Sequence, residues 1–387
     1  MALFKQKTLW IGVVATFLVL AIFGVAMMGS VLGAKPKDLP VALVVEDQAV
    51  SLPDGNTLNV GAMVKEKLLS IKELPVAWKE VGTEAEAREG LDRQEYYGAF
   101  VLPADLSAGL ASLSSAEPKP ATITILANEG MSVQAATAVK QVLGQVSRMV
   151  SAELSQQWVG QISQHSEVIP VSTAKALLTP FTVQEETMHP IGANNASGNA
   201  PGMLAQISWI GSLVVSIVLF LSSQKASAAG GRGWVLSLSQ AASGIVLVVA
   251  VSGFLVWMAS SWYGMDLADA SGTWLVLVWA GLAFFMLQSA LLNWIGYPAM
   301  PILILLMFFS MPVVNMAQEF LPQATQDWLY AWTPFKFVAG GLRNSMYFAE
   351  VSVESSNIAV LWWIAGVGLA LLLASGLRKR KAKAVSV

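Results

Sequence analysis

Six stretches of the chain are apolar for about the 20 residues that a helix needs to cross a bilayer core. They cover 9–34, 203–223, 234–259, 273–295, 298–315 and 357–377, and none contains Asp, Glu, Lys, Arg or His. The fifth is short and carries Pro298, Pro301 and Pro312, so a kinked or incompletely spanning helix is expected there. The first exceeds the roughly 7–15 apolar residues of a secretory signal, and Gly29, Ser30, Gly33 and Ala34 supply a small-residue packing face near its end. It reads as an uncleaved anchor rather than a cleaved signal.

Between the first two apolar runs the pattern changes to short strands alternating with helices. Residues 41–46 (VALVVE) form a buried type of strand, while Val60, Met63, Val64, Leu68 and Ile71 recur at helical spacing over 59–71. Residues 75–81 are extended, Thr83 caps a helix that begins at Glu84, 96–102 is a strand, 105–112 a helix and 121–126 a strand. This order predicts a small α/β layer on one sheet. From 132 to 163 the residues Val139, Val142, Leu143, Val146, Met149, Val150 and Leu154 make one long amphipathic helix, which packs on its own domain or serves as an arm for a second copy. A Gly/Asn/Ser linker at 191–201 returns the chain to the membrane.

The expected fold is therefore a polytopic α-helical membrane protein of six transmembrane helices, with an extracytoplasmic α/β domain inserted between helices 1 and 2. Its parts are 1–34, the domain at 35–202, a five-helix membrane module at 203–377 and a basic tail at 378–387. Within the module, 316–350 carries Trp328, Tyr330, Trp332 and Phe335 with only Lys336 and Arg343 as cations, a composition suited to helices lying at the outer interface.

Composition supports this class: of 387 residues, 55% are hydrophobic and 12% charged, against roughly 25% charged in soluble proteins. The net charge of -2 argues against nucleic acid as a partner and otherwise hides an asymmetry. Basic residues are retained on the cytoplasmic side. With both termini inside, that side holds Lys5, Lys7, Lys225, Arg232, Arg378, Lys379, Arg380, Lys381 and Lys383 and no carboxylate, and every acidic residue lies outside. Lys225 and Arg232 are candidate contacts for a cytoplasmic partner. The tail from Arg378 to Lys383 suits anionic lipid, at about 1 kcal/mol per cation.

Candidate chemistry is sparse. There is no Cys, and the Gly-rich run 230–233 lacks the Lys and Ser/Thr of a phosphate-binding loop, so ATP could act only through a separate partner and the chain itself needs no cofactor. Two Ser-x-x-Lys matches, at 172–175 and 222–225, lack the companion elements of acyl-enzyme chemistry, and no catalytic residue or metal site is expected. Glu186 and His189 make one Glu-x-x-His pair where a carboxylate-bridged metal site uses two. Asp266 and Asp269 share a short outer loop, and Asn195-Ala196-Ser197 is a glycosylation sequon. Inside the spans the polar groups are neutral; Gln206, Gln240 and Gln288 either pack helices together or line a polar path.

The order of an anchor span, VALVVEDQAV at 41–50, EYYGAFVLPADLS at 95–107, TILANEG at 124–130, a long helix, IGANNASGNAP and a five-span module resembles the YhgE/Pip (phage infection protein) family of bacterial membrane proteins. The resemblance implies a plasma-membrane permease of the type-2 ABC exporter kind, working as a homodimer with a separate ATPase to move a hydrophobic or amphipathic substrate outward. It also leaves a second expectation, a non-transporting surface receptor or scaffold for a phage or an envelope component, anchored by the same spans.

Overall fold

The computed structural model describes residues 35–52, 56–113, 115, 117–163, 171–348 and 356–377, with the isolated positions 14, 17 and 21. The first apolar run and the basic tail lie outside the described residues. The described residues divide into two compact units, Pro36–Ile191 and a second built from Gly192 onward.

The first unit holds a five-stranded mixed sheet in the order β4-β1-β5-β6-β7. Its strands are β1 (Leu39–Val45), β4 (Val76–Val81), β5 (Gly98–Leu102), β6 (Ala121–Asn128) and β7 (Phe181–Met188); a separate hairpin pairs β2 (Val50–Ser51) with β3 (Thr57–Leu58). Strands β4, β1 and β5 are parallel, β6 runs against β5, and β7 is parallel to β6. The helices are α1 (Val60–Ser70), α2 (Glu84–Asp92), α3 (Leu106–Ser112), α4 (Val133–Ser163) and α5 (Val171–Leu178).

The central strands are apolar without alternation because helices cover both of their faces. On one face Ala42, Val44, Ala99, Val101 and Leu126 pack with Ala87 and Leu91 of α2. On the other, β5 meets α4 so closely that a Cβ at Gly98 would stand 2.7 Å from Val139 Cγ1. The apolar stripe of the long helix is thus spent within its own unit for Val139, Leu143, Val146, Val150 and Leu154, all buried.

Polar side chains fix the helix starts. Thr83 Oγ1 accepts from Glu86 N, as its N-cap position requires. Two successive carboxylates after β1 cap other elements: Glu46 Oε1 accepts from Glu84 N at 2.9 Å, and Asp47 accepts from Gly61 N at 2.7 Å, Ser107 N at 2.7 Å and Ser107 Oγ at 2.6 Å. Ser107 Oγ in turn accepts from Val60 N at 2.8 Å. One carboxylate therefore neutralises the positive ends of α1 and α3 together.

The second unit is helical: α6 (Ala200–Ala228), α7 (Gly233–Ser261), α8 (Ala270–Ile295), α9 (Ala299–Val314), α10 (Pro334–Tyr347) and α11 (Ser356–Ser375). Four of these, α6, α7, α8 and α11, are long and apolar enough to cross a membrane, and α9 is a shorter apolar helix. Helix α8 is the most enclosed and packs on α6, α7, α10 and α11. Close approach comes from small residues: a Cβ at Gly281 would lie 2.7 Å from Val248 Cγ1, and one at Gly368 2.8 Å from the carbonyl carbon of Met286. Exposed aromatic rings sit towards both ends of these helices, Trp234, Trp294 and Tyr297 at one end and Trp257, Trp262, Tyr263 and Trp332 at the other.

The edge strand β7 is tied down by ions. Arg88 of α2 makes a forked contact to both oxygens of Glu186, at 2.8 and 2.7 Å. The hydrogen bonds from Arg88 hold the Glu186 carboxyl below the ordinary glutamate range and raise Arg88 in return. A carboxylate whose folded value is depressed stabilises the fold above its unfolded value, about 4.3, and that contribution disappears as pH falls through the folded value. We expect amide protection of β7, corrected for intrinsic exchange, to fall on acidification below about pH 4 in the native chain, and Glu186→Gln to remove much of that pH dependence at the cost of weaker protection at neutral pH.

Candidate functional site

The polar residues of the helical unit converge on one face of α8. Ser212 Oγ donates to the carbonyl of Gly281 at 3.3 Å, Ser216 Oγ to that of Phe285 at 3.4 Å, and Ser252 Oγ to that of Leu277 at 3.2 Å. Gln288 Nε2 donates to the Trp209 carbonyl at 3.2 Å, while its Oε1 lies 3.5 Å from Ser216 Oγ. Ser289 Oγ donates to Ser216 Oγ at 3.1 Å. Asn293 Nδ2 extends the chain, donating to the Ser289 carbonyl and to Gln240 Oε1 at 3.2 Å. The result is a ladder from Trp209 to Gln240 that stitches α6, α7 and α8 through side chains that are buried, Asn293 alone among them being half-buried. Gln240 Nε2, at its end, is buried with no acceptor among the described residues.

Above the ladder, an aromatic cluster closes the bundle. Trp209 packs edge-on against Phe284 with ring centroids 4.8 Å apart, and Phe335 of α10 lies 5.0 Å from Trp209 and 5.2 Å from Phe284. Phe335, Val338 and Leu342 are buried. The amphipathic piece expected at the outer interface thus turns its apolar face into the bundle, against α6 and α8. Ser310 and Thr333 hydroxyls meet at 2.6 Å and fix its start beside α9.

Of the three glutamines singled out from sequence, Gln240 and Gln288 are joined by this ladder, whereas Gln206 is half-buried and outside it. Lys225 lies in the last turn of α6 and Arg232 is the N-cap of α7, at the end of the four-residue turn between them; both are exposed and neither is ion-paired with a described residue. Arg378, Lys379, Arg380, Lys381 and Lys383 lie outside the described residues. Glu186 and His189 do not come together: Glu186 is held by Arg88, and His189 Nε2 lies 2.9 Å from Asp92 Oδ1. Asp269 is the N-cap of α8, accepting from Gly272 N at 2.8 Å and Ser271 Oγ at 2.7 Å. Those bonds hold it below the ordinary aspartate range. Asn195 of the sequon is buried and donates through Nδ2 to the Asp266 carbonyl at 2.9 Å, a poor position for a glycan acceptor. Among the described residues no group of three or more His, Cys, Asp or Glu is placed to hold a metal ion.

Asn293 and Trp209 belong to the ladder and the cluster in addition to the glutamines expected from sequence. The signal was present for Asn293, a lone amide at helical spacing from Ser289 near the end of an apolar run.

The chain that forms this bundle is matched, over residues 7–376, by the profile of a family described as ABC-2 family transporter protein. The chain belongs to the ABC-2 transporter family. Neither curated proteins nor solved structures gave a match to it. As an ABC-2 transporter chain it is a membrane-embedded transport component, and its apolar helices are the transporter's membrane part. In such a setting the ladder supplies the internal partners that hydrocarbon cannot, each interhelical bond contributing about 0.6–2 kcal/mol. Replacing Gln288 by Ala is expected to lower the stability of the detergent-solubilised chain by about 1–2 kcal/mol. Thermal unfolding of Gln288→Ala, Ser216→Ala and the double variant measures this, and the two effects should be non-additive because the residues share one bond.

Proposed function

We propose that this ABC-2 transporter chain is the permease subunit of an exporter, moving a hydrophobic or amphipathic substrate outward as a homodimer driven by a separate ATPase. The family membership over nearly the whole chain carries this reading. On this reading both termini and the α6–α7 turn are cytoplasmic, the unit from Pro36 to Ile191 is outside, and six spans cross the plasma membrane, with the segment 9–34 and α9 added to the four long helices. The charge at the two ends of the helices supports that orientation: Lys225 and Arg232 stand at the α6–α7 turn, and Asp266 and Asp269 at the α7–α8 turn. Within the family, the sequence blocks quoted above favour the YhgE/Pip group.

The absence of cysteine gives a direct test of orientation. A single cysteine at the exposed position Glu185 should react with a membrane-impermeant maleimide in intact cells, and one at Ala229 only after lysis; the reverse pattern inverts the topology. For the exporter itself, an ATPase should copurify with the chain, and Lys225→Glu with Arg232→Glu should reduce its recovery if these cations contact it. Lack of any copurifying ATPase, with unchanged efflux in a deletion strain, overturns the reading.

A second reading, an anchored receptor or scaffold, draws on the brevity of the α6–α7 turn, residues 229–232, which gives a cytoplasmic partner little to hold. It predicts that replacing the spans by an unrelated anchor preserves function.

A further inference from the structure

Helix α10 brings a cation to a depth at which the spans themselves have none. Phe335 packs on Trp209, which lies nine residues into α6 from Ala200, about 14 Å along the axis and roughly 7 Å inside a 30 Å core centred on that helix. Lys336 follows immediately, half-buried. Its Nζ donates to the Ala331 carbonyl at 2.9 Å and lies 4.9 Å from the Tyr330 ring centre and 4.7 Å from that of Phe337. Among the described residues no carboxylate stands within ion-pairing distance of it.

The position is electrostatically adverse for a cation alone. Lys336 occupies the first turn of α10, where the helix end is itself positive. That turn contains no acidic residue, and the Thr333 N-cap makes no side-chain capping bond, its hydroxyl being engaged with Ser310. Arg343, seven residues on, adds a second cation to the same helical face. Beside them Trp328 and Trp332 are 82% and 57% exposed, large apolar surfaces on the preceding turn. A cation in the membrane zone calls for a named counter-charge, and here the free N–H groups of the helix, the ammonium and the aromatic walls ask for one that is anionic at one end and apolar at the other.

We propose that Lys336 binds the anionic headgroup, phosphate or carboxylate, of an amphiphile whose apolar part lies along Tyr330, Phe337 and the exposed tryptophans. The inference rests on the membrane embedding of α6–α11 but not on transport, so it stands or falls without any ATPase.

The test uses the full-length chain in nanodiscs of equal parts phosphatidylglycerol and phosphatidylcholine, with lipids that survive release counted by native mass spectrometry. The native chain should retain phosphatidylglycerol in preference to phosphatidylcholine. Lys336→Gln should weaken that retention about tenfold, the loss of one charge-assisted contact, and Lys336→Arg should keep it. Equal retention by the native chain and Lys336→Gln overturns the proposal, as does equal loss in the Gln and Arg variants, which would mean that charge is not what is read. Inorganic phosphate supplies the remaining arm: failure to displace the lipid identifies an amphiphile headgroup, whereas displacement assigns the position to a free anion and overturns the amphiphile.

Discussion

In hydrocarbon a polar group has no water to fall back on, and the helical unit is organised around that constraint. Helix α8 is the element that meets it for the others: its own carbonyls at Leu277, Gly281 and Phe285 accept the serines of α6 and α7. Such bonds form only where helix axes come close, and small residues at Gly281 and Gly368 permit the approach. Packing and polar satisfaction are thus one arrangement seen from two sides. The aromatic cluster of Trp209, Phe284 and Phe335 adjoins the same centre and fastens α10 to it.

Periodicity made much of the architecture readable. The runs at 203–223, 234–259 and 273–295 correspond to α6, α7 and α8, each extended by a few residues because polar and small residues can continue a helix past the apolar window. Strands β1, β5 and β6 and helices α1 to α4 also follow their apolar spacing. Strand β7 did not announce itself: its sequence FTVQEETM has exposed positions on both faces, since an edge strand needs only one neighbour, and of its two acidic residues Glu186 is matched by Arg88 of α2 while Glu185 is exposed. Helix α5 is too short for its spacing to register.

The site was less legible for a physical reason. A glutamine in an apolar run signals that it needs a partner, but the partner is chosen by helix packing, which joined Gln288 to Trp209 and left Gln206 apart. Likewise an amphipathic helix looks the same whether its apolar face meets lipid or protein. For α10 the two are distinguished by long-range packing, above all the contact of Phe335 with Trp209, which crosses more than a hundred residues of chain.

In open sheets with parallel strands, ligands enter the crevice beyond the carboxyl ends of neighbouring strands whose connections leave in opposite directions. Strands β1 and β5 define that crevice here, because the chain passes from β1 to β4 on one side and returns to β5 on the other. Asp47 follows β1, Ser107 opens the helix after β5, and the carboxylate already occupies the helix-end donors that an anionic visitor would use. This sheet carries its own resident anion, so its customary doorway is shut from within.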